Sequence, residues 1–288
     1  MRSLTVMVVL VGLSFVSAAK DESQVNDFVK QHLNSIGTDQ ARAAVKNRAA
    51  EGNVQFKLLN VSSGAQDGKQ VLASESGKLV ALLKLPNPNY HGERFVSDGK
   101  KVFITNVKPG SYSSFGAFVL AHPEILTEGL FGGTLNTGWA LLHLEDKHPK
   151  LQDQGLKKVS GRELHQFRYS PAKHSDLEIL LFFDPQTARH VLTTYSLEIS
   201  PQLGMTEQET AKQDFTRYLL EERFDDFKLT DGLQRPGHWV IQFTAQIPHD
   251  PNHPILGALD QGGISQFDAT ETAINHNVTL DAKNFEVK

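Results

Sequence analysis

Hydrophobic positions change their period along this chain. Val25, Phe28, Val29, His32 and Leu33 recur at helical spacing, and Ala41, Ala44, Val45 and Ala49 repeat the pattern behind Thr38, a residue suited to capping a helix N-terminus. The spacing predicts two helices within residues 20–50. Beyond Gly52 the texture becomes short alternating runs such as "NVQFKLLN", "GKLVALLKLP", "LKKVSGRELHQFRYS", "DLEILLFFD" and "HWVIQFTA", broken by Gly, Asn, Asp and Pro. Glu75-Ser76-Gly77, Ser97-Asp98-Gly99 and Ser160-Gly161 read as hairpin turns, because glycine tolerates positive φ. In "DLEILLFFD", Leu177, Ile179, Leu181 and Phe183 lie on one face, and Leu180 and Phe182 lie with Glu178 on the other. The pattern predicts an antiparallel meander of about nine strands, and a sheet of that width curls or closes and needs its concave side filled.

One stretch breaks the alternation. "SYSSFGAFVLAHPEILTEGLFGG" runs from Ser111 to Gly133. Phe115, Phe118, Val119 and Ala121 suit one face of a helix, Pro123 stops it, and Ile125, Leu126 and Leu130 begin a second short one. Gly116, Gly129, Gly132 and Gly133 read as points where the segment can move. An oily helix pair between two strands of a curled sheet can lie across its mouth as a lid. The other reading of the same residues is that they complete a solid core.

"VSDGKKVFITN", followed by a Pro-Gly turn and this apolar excursion, resembles the LolA-like family of outer-membrane lipoprotein-sorting proteins and lipoprotein carriers. "FFDPQTARHVLTTYSLEI" is similar to that family's strand, Asp-Pro turn and returning strand. The resemblance spans residues 53–244 in order of elements. It implies an α+β fold: a curled antiparallel sheet, or incomplete β-barrel, whose helices cover a concave apolar face. Mapped onto this chain, it implies N-terminal helices at 20–50, a half-barrel at 51–247 with a lid insertion at 111–133, and a C-terminal extension at 248–288. The cavity and lid it implies are lined by Phe56, Leu83, Ile104, Phe115, Phe118, Val119, Ile125, Leu126, Leu130, Phe131, Ile179, Leu181 and Phe183. The family's lid-locking arginine has two candidates, Arg42 and Arg48, either of which could also be a solvated helix charge. Residues 128–144, "EGLFGGTLNTGWALLHL", have no counterpart with an assignable role.

Composition narrows the chemistry. The 288 residues carry a net charge of -4, which offers no broad basic surface for nucleic acid. There is no cysteine, which excludes disulfides, thiol catalysis, Cys-ligated zinc and a lipid-modified Cys anchor. "MRSLTVMVVLVGLSFVSAAK" has a basic start, a short apolar run and a small-residue boundary, so a secretory signal at 1–19 with cleavage after Ala18 or Ala19 is expected. "HLEDKH" (His143, Glu145, His148) and "HDPNHP" (His249, Asp250, His253) hold metal-ligand types but no recognised hydrolase spacing, and are read as loop histidines. No G-x-S-x-G elbow, P-loop or dinucleotide cradle is present.

The sequence therefore predicts an exported periplasmic protein that is not an enzyme and needs no cofactor or metal. It would carry acyl chains of lipid or lipoprotein cargo between envelope donors and acceptors, touching a membrane transiently at most. The competing class is a solid-cored envelope sensor or interaction module that binds a protein, and a third is an unrecognised hydrolase.

Overall fold

A computed structural model describes residues 13–60, 64–86, 90–108, 112–200, 216–246 and 263–287, the side chains of 13–22 excepted. The chain opens with α1 (Leu13–Ile36) and α2 (Asp39–Ala44). Thr38 caps α2 as its sequence position predicts, its hydroxyl accepting from the Ala41 amide at 3.2 Å. The expected cleavage point at Ala18 or Ala19 lies within α1, and residues 1–12 lie outside the described residues.

The second helix is shorter than its alanines suggest. It ends at Ala44, and Ala49, expected on its apolar face, instead lies in β1 (Asn47–Leu58). Ala50, Val54 and Phe56 of β1 are buried at every second position, and the strand pairs on both sides. Two ladders and a period-2 apolar face outweigh the few tenths of a kcal/mol by which alanine favours helix.

Twelve antiparallel strands among the described residues form one sheet that does not close. They are β1, β2 (Gln66–Glu75), β3 (Lys78–Lys84), β4 (Gly92–Ser97), β5 (Val102–Asn106), β6 (Lys150–Val159), β7 (Arg162–Ser170), β8 (Glu178–Phe183), β9 (His190–Ile199), β10 (Thr216–Thr230), β11 (Leu233–Gln246) and β12 (Gly263–His276). The spatial order is β5-β4-β3-β2-β1-β12-β11-β10-β9-β8-β7-β6. The expected count of about nine falls short because one alternating run, Leu156 to Ser170, folds back on itself at Ser160-Gly161, because Gly92–Ser97 pairs on its own, and because β12 carries too weak an apolar alternation to stand out.

This order has two consequences. β5 and β6 follow each other in sequence but occupy opposite edges, so the chain between them must travel across the whole sheet. That crossover holds α3 (Ser114–Ala121), α4 (Glu124–Thr127), tight turns at Gly133–Leu135 and Ala140–Leu142, and α5 (Leu144–Lys147). Secondly, residues 263–276, expected in a C-terminal extension, are not an appendage. β12 lies between β1 and β11 and joins the two halves of the sheet.

The two faces predicted for β8 are separate cores. Ile179, Leu181 and Phe183 enter the main cluster with the crossover, while Phe182 packs outside it with Leu164, Val191 and Leu192. On the outer face of β3 and β4, Val80 and Val96 are covered by Phe285 from the last described turn, Ala282–Phe285.

Candidate functional site: the filled concave face

The side chains expected to line a cavity all meet in one buried cluster. Phe56, Leu83, Ile104, Ile179, Leu181 and Phe183 come from the sheet, and Phe115, Phe118, Val119, Ile125, Leu126, Leu130 and Phe131 from the crossover. Phe115 packs against Phe95 of β4 at 5.0 Å, Phe267 of β12 at 5.7 Å and Phe243 of β11 at 6.1 Å between ring centroids. Phe131 meets Trp239 edge-on at 5.2 Å, and Phe118 lies 5.2 Å from Phe243 and 5.8 Å from Tyr218 of β10. One segment thus reaches strands far apart in the sheet, which requires the sheet to curl around it. The residues 128–144, whose role sequence does not supply, continue the filling: Leu135, Trp139 and Ala140 are fully buried.

Polar anchors fasten the segment. Near its start, Glu93 of β4 accepts from the Ser113 amide and hydroxyl, both at 2.7 Å, and from Tyr90 Oη at 3.0 Å. Ser113 in turn caps α3, accepting from the Gly116 amide. Midway, Glu222 of β10 accepts from the Gly132 amide at 2.8 Å, Tyr195 Oη at 2.8 Å and Trp239 Nε1 at 3.0 Å. Arg48 of β1 donates to the carbonyls of Thr134 and Leu135 at 2.8 and 2.7 Å. The Thr137 amide and hydroxyl lie 2.9 and 3.0 Å from Ser74 Oγ of β2. Finally, Trp139 Nε1 donates to His32 Nε2 at 2.9 Å, so the His32 proton sits on Nδ1 and is given to the Ala188 carbonyl.

Of the two arginines considered for locking the segment, Arg48 therefore touches it. Arg42 instead closes the C-terminal end of α1, donating to the carbonyls of Leu33 and Gly37 and pairing with Asp39. The glycines, read as points of motion, have a different use. A Cβ at Gly116 would lie 2.4 Å from a Glu93 carboxylate oxygen, and one at Gly129, where φ is +75°, would lie 1.8 Å from the Gly138 carbonyl. They permit close approach of the segment to its Glu93 anchor and to itself.

The anchors carry the site's electrostatics. Burial pushes the Glu222 carboxyl up to about 7 in spite of its three donors, and raises Glu93 as well. Burial drives His32 down to about 4. The unfolded chain releases the Glu222 proton near 4.5 and the folded protein near 7, so this group's contribution to stability is full below 4.5 and is lost as pH rises through 7. His32 works in the opposite direction, its contribution being lost as pH falls from 6.5 through about 4. The two act in opposite directions, and the Glu271 and Glu93 carboxyls, also raised by burial, act in the same direction as Glu222. Glu222→Gln uncovers the first: its oxygen can accept from Gly132 and Trp239 and its amide can face Tyr195. Relative to wild type, the variant should gain about 3 kcal/mol between pH 4.5 and 7.5 in denaturant melts. A constant difference across that range would show that Glu222 is ionised throughout.

Of the histidine clusters read from sequence, His143, Glu145 and His148 do not form a ligand group among the described residues. His143 Nδ1 lies 3.5 Å from Asp146, and His249 and His253 lie outside the described residues. A group that sequence spacing could not reveal is His122, Glu124 and Asp176, whose ligand-type atoms fall within 4.8 Å of one another. Asp176 reaches it from the loop before β8, and Ser175 donates to Glu124 at 2.6 Å.

The class of protein defined by this geometry is an open, curled antiparallel sheet whose own edge-to-edge crossover fills its concave face. Comparison with solved structures finds similarity to LolA-superfamily and lipoprotein-sorting proteins. A LolA superfamily protein from Nitrosomonas europaea is 11% identical over 91% of this chain and 97% of that one, with a TM-score of 0.46. A DUF1329 family protein from Desulfovibrio piger is 10% identical at the same coverages and TM-score. A putative outer membrane lipoprotein-sorting protein domain from Vibrio parahaemolyticus is 13% identical over 89% of this chain and 97% of that one, with a TM-score of 0.41. At these identities the likeness concerns the fold alone. No protein-family model matches the sequence, and comparison with curated proteins finds no match. No described helix is long and apolar enough to cross a membrane.

Proposed function

We propose that this protein is an exported, periplasmic carrier that holds an acyl chain of a lipid or lipoprotein against the concave face of its sheet, the crossover segment occupying that face when cargo is absent. The observation that carries this reading is how the face is filled. Among the described residues the filler contributes no strand to the sheet, it inserts Phe115, Phe118 and Phe131 among the sheet's aromatics, and discrete polar anchors hold it in place. Each buried methylene contributes about 0.8 kcal/mol, so a partly buried acyl chain gains on the order of 10 kcal/mol gross. Cargo held that firmly leaves slowly unless something takes its place. The segment is that competitor: cargo displaces its phenylalanines, and their return helps expel cargo at an acceptor. The function is then exchange between envelope partners, with no covalent step.

The absence of native cysteine makes a direct test possible. Ser74 Oγ and Thr137 Oγ1 are 3.0 Å apart, so the double variant Ser74→Cys/Thr137→Cys can staple the crossover to β2 without adding bulk. The reduced variant should take up a fluorescent fatty acid as wild type does, the oxidised one should lose uptake by tenfold or more, and reductant should restore it. Equal uptake in both forms would remove the crossover from the mechanism. Wild type that takes up no probe, and yields no lipid on organic extraction after detergent-free purification, would favour a solid-cored module that binds a protein.

A further inference from the structure

Beside the crossover, but outside the apolar face, lies a cleft of about 380 Å³ bounded by α2, the start of β1, Arg235 of β11 and the turn around Thr137–His143. Its walls bring together Arg42, Lys46, Arg48 and Arg235 against one carboxylate, Asp39, which is already paired with Arg42. A chain of net charge -4 thus concentrates positive charge at one place.

The two deepest cations are the informative ones. Arg48 and Arg235 are only 2% and 3% exposed, and among the described residues neither has a carboxylate within salt-bridge distance. Arg48 spends Nη1 on two backbone carbonyls and leaves Nε without a partner. Arg235 has a 3.5 Å approach to the Gln234 carbonyl, and its Nε too is unpartnered. His276, opposite Arg48 in the β1–β12 ladder, gives Nδ1 to Asp231 at 2.8 Å and leaves a buried Nε2 without a partner. Burial lowers both guanidinium groups, and Arg235 adds to the lowering of Arg48 by repulsion. Burying one guanidinium without a counter-charge is unfavourable, and the repulsion between two makes it more so.

We infer that this cleft is a binding site for a phosphate-type oxyanion, taken either as a free phosphate or as the headgroup phosphate of a lipid. A tetrahedral dianion in the cleft supplies the missing counter-charge beside both guanidinium groups, whose fork geometry is well suited to an oxyanion. The cleft has room for more than a bare phosphate, and the exposed Lys46 on its wall attracts an anion. Arg48, Thr137, Leu142 and His143 tie one wall of the cleft to the docked crossover, so the site belongs to the docked state, and anion titration of the cargo-free protein reads it separately from fatty-acid uptake.

The test is calorimetric titration of the full protein with inorganic phosphate, glycerol 3-phosphate and short-chain phosphatidic acid, in chloride buffer of low ionic strength. One equivalent should bind and raise Tm, and binding should weaken as salt is added. Arg235→Met keeps the stem and removes the charge, and should weaken binding at least tenfold. Because it also relieves repulsion on Arg48, its ligand-free Tm should be no lower than that of wild type. Lys46→Glu, at the exposed mouth, tests the same site without touching the interior and should weaken binding about threefold or more. Tighter binding of the two esters than of phosphate identifies a headgroup site, and equal binding identifies a free-phosphate site. Absence of binding by all three probes, or binding that neither variant weakens, overturns the inference.

Discussion

A chain ending at residue 262 should not fold. β12 is the strand that separates and joins the two halves of the sheet, pairing with β1 along Leu58–Arg48 and with β11 along Ala245–His238. Its loss removes Phe267 and Ala269 from the core, including the Phe267 contacts with Phe56 at 4.9 Å and Phe115 at 5.7 Å. It also leaves Gln70 of β2 without Glu271, whose two oxygens accept from its amide at 2.7 Å. β1 and β11 would become long edges with unpaired amides and carbonyls, a template for association with other chains. The lost terms together exceed the ~5–15 kcal/mol of an ordinary domain's stability. The expected result is a protein that elutes as aggregate and shows no cooperative melt. A chain ending at Asn277 is the control. It keeps β12 but loses the cover that Phe285, Leu280 and Val287 give Val80 and Val96, about 2–3 kcal/mol for Phe285 alone, and the two hydrogen bonds between Val278 and Asn47, and should melt cooperatively at a lower Tm. Native-like melting of the shorter chain would mean that β1 and β11 can pair directly and that β12 is dispensable.

What the sequence makes legible follows from range. Period-2 runs, Gly turns and the Thr38 cap are local, and the structure contains them: Ser76 and Gly77, and Ser160 and Gly161, hold positive φ at their turns, and the Asp98 carboxylate accepts from the Lys100 and Lys101 amides. The apolar faces of β8 and of the crossover are local as well, so the residues that meet beneath the sheet can be listed before their partners are known. The anchors cannot. Glu93, Glu222 and Arg48 look like any charged residue in an alternating strand, and their burial depends on the crossover packing across the sheet. The same holds for Arg235, which sits in "LQRPGHW" with nothing to mark it, and for the group formed by His122, Glu124 and Asp176. β12 was hidden for a related reason. Buried between two neighbours in the ladder, it needs few large apolar side chains, because its hydrogen bonds and Phe267 and Ala269 suffice.

Phe118→Glu and Ile179→Glu should part company. Ile179 lies on β8 with no exposed surface, paired between Tyr169 and Tyr195 in the sheet itself. A glutamate there buries an unpaired charge that no movement short of unfolding relieves. It should cost several kcal/mol and give insoluble or non-cooperative protein. Phe118 is 6% exposed and sits on α3, which touches Tyr218 and Phe243 by one face and exposes Leu120 on the other. A glutamate there penalises the docked helix by a similar amount, but α3 can leave the sheet and place the charge in water while every strand ladder stays intact. The carrier reading therefore predicts that Phe118→Glu keeps the strand signal in circular dichroism, melts cooperatively at a reduced Tm, and takes up a fluorescent fatty acid more tightly than wild type, because cargo no longer competes with a docked phenylalanine. Ile179→Glu should do none of this. If the two variants unfold alike, the crossover is inseparable from the core, displacement by cargo is ruled out, and the concave face is structural.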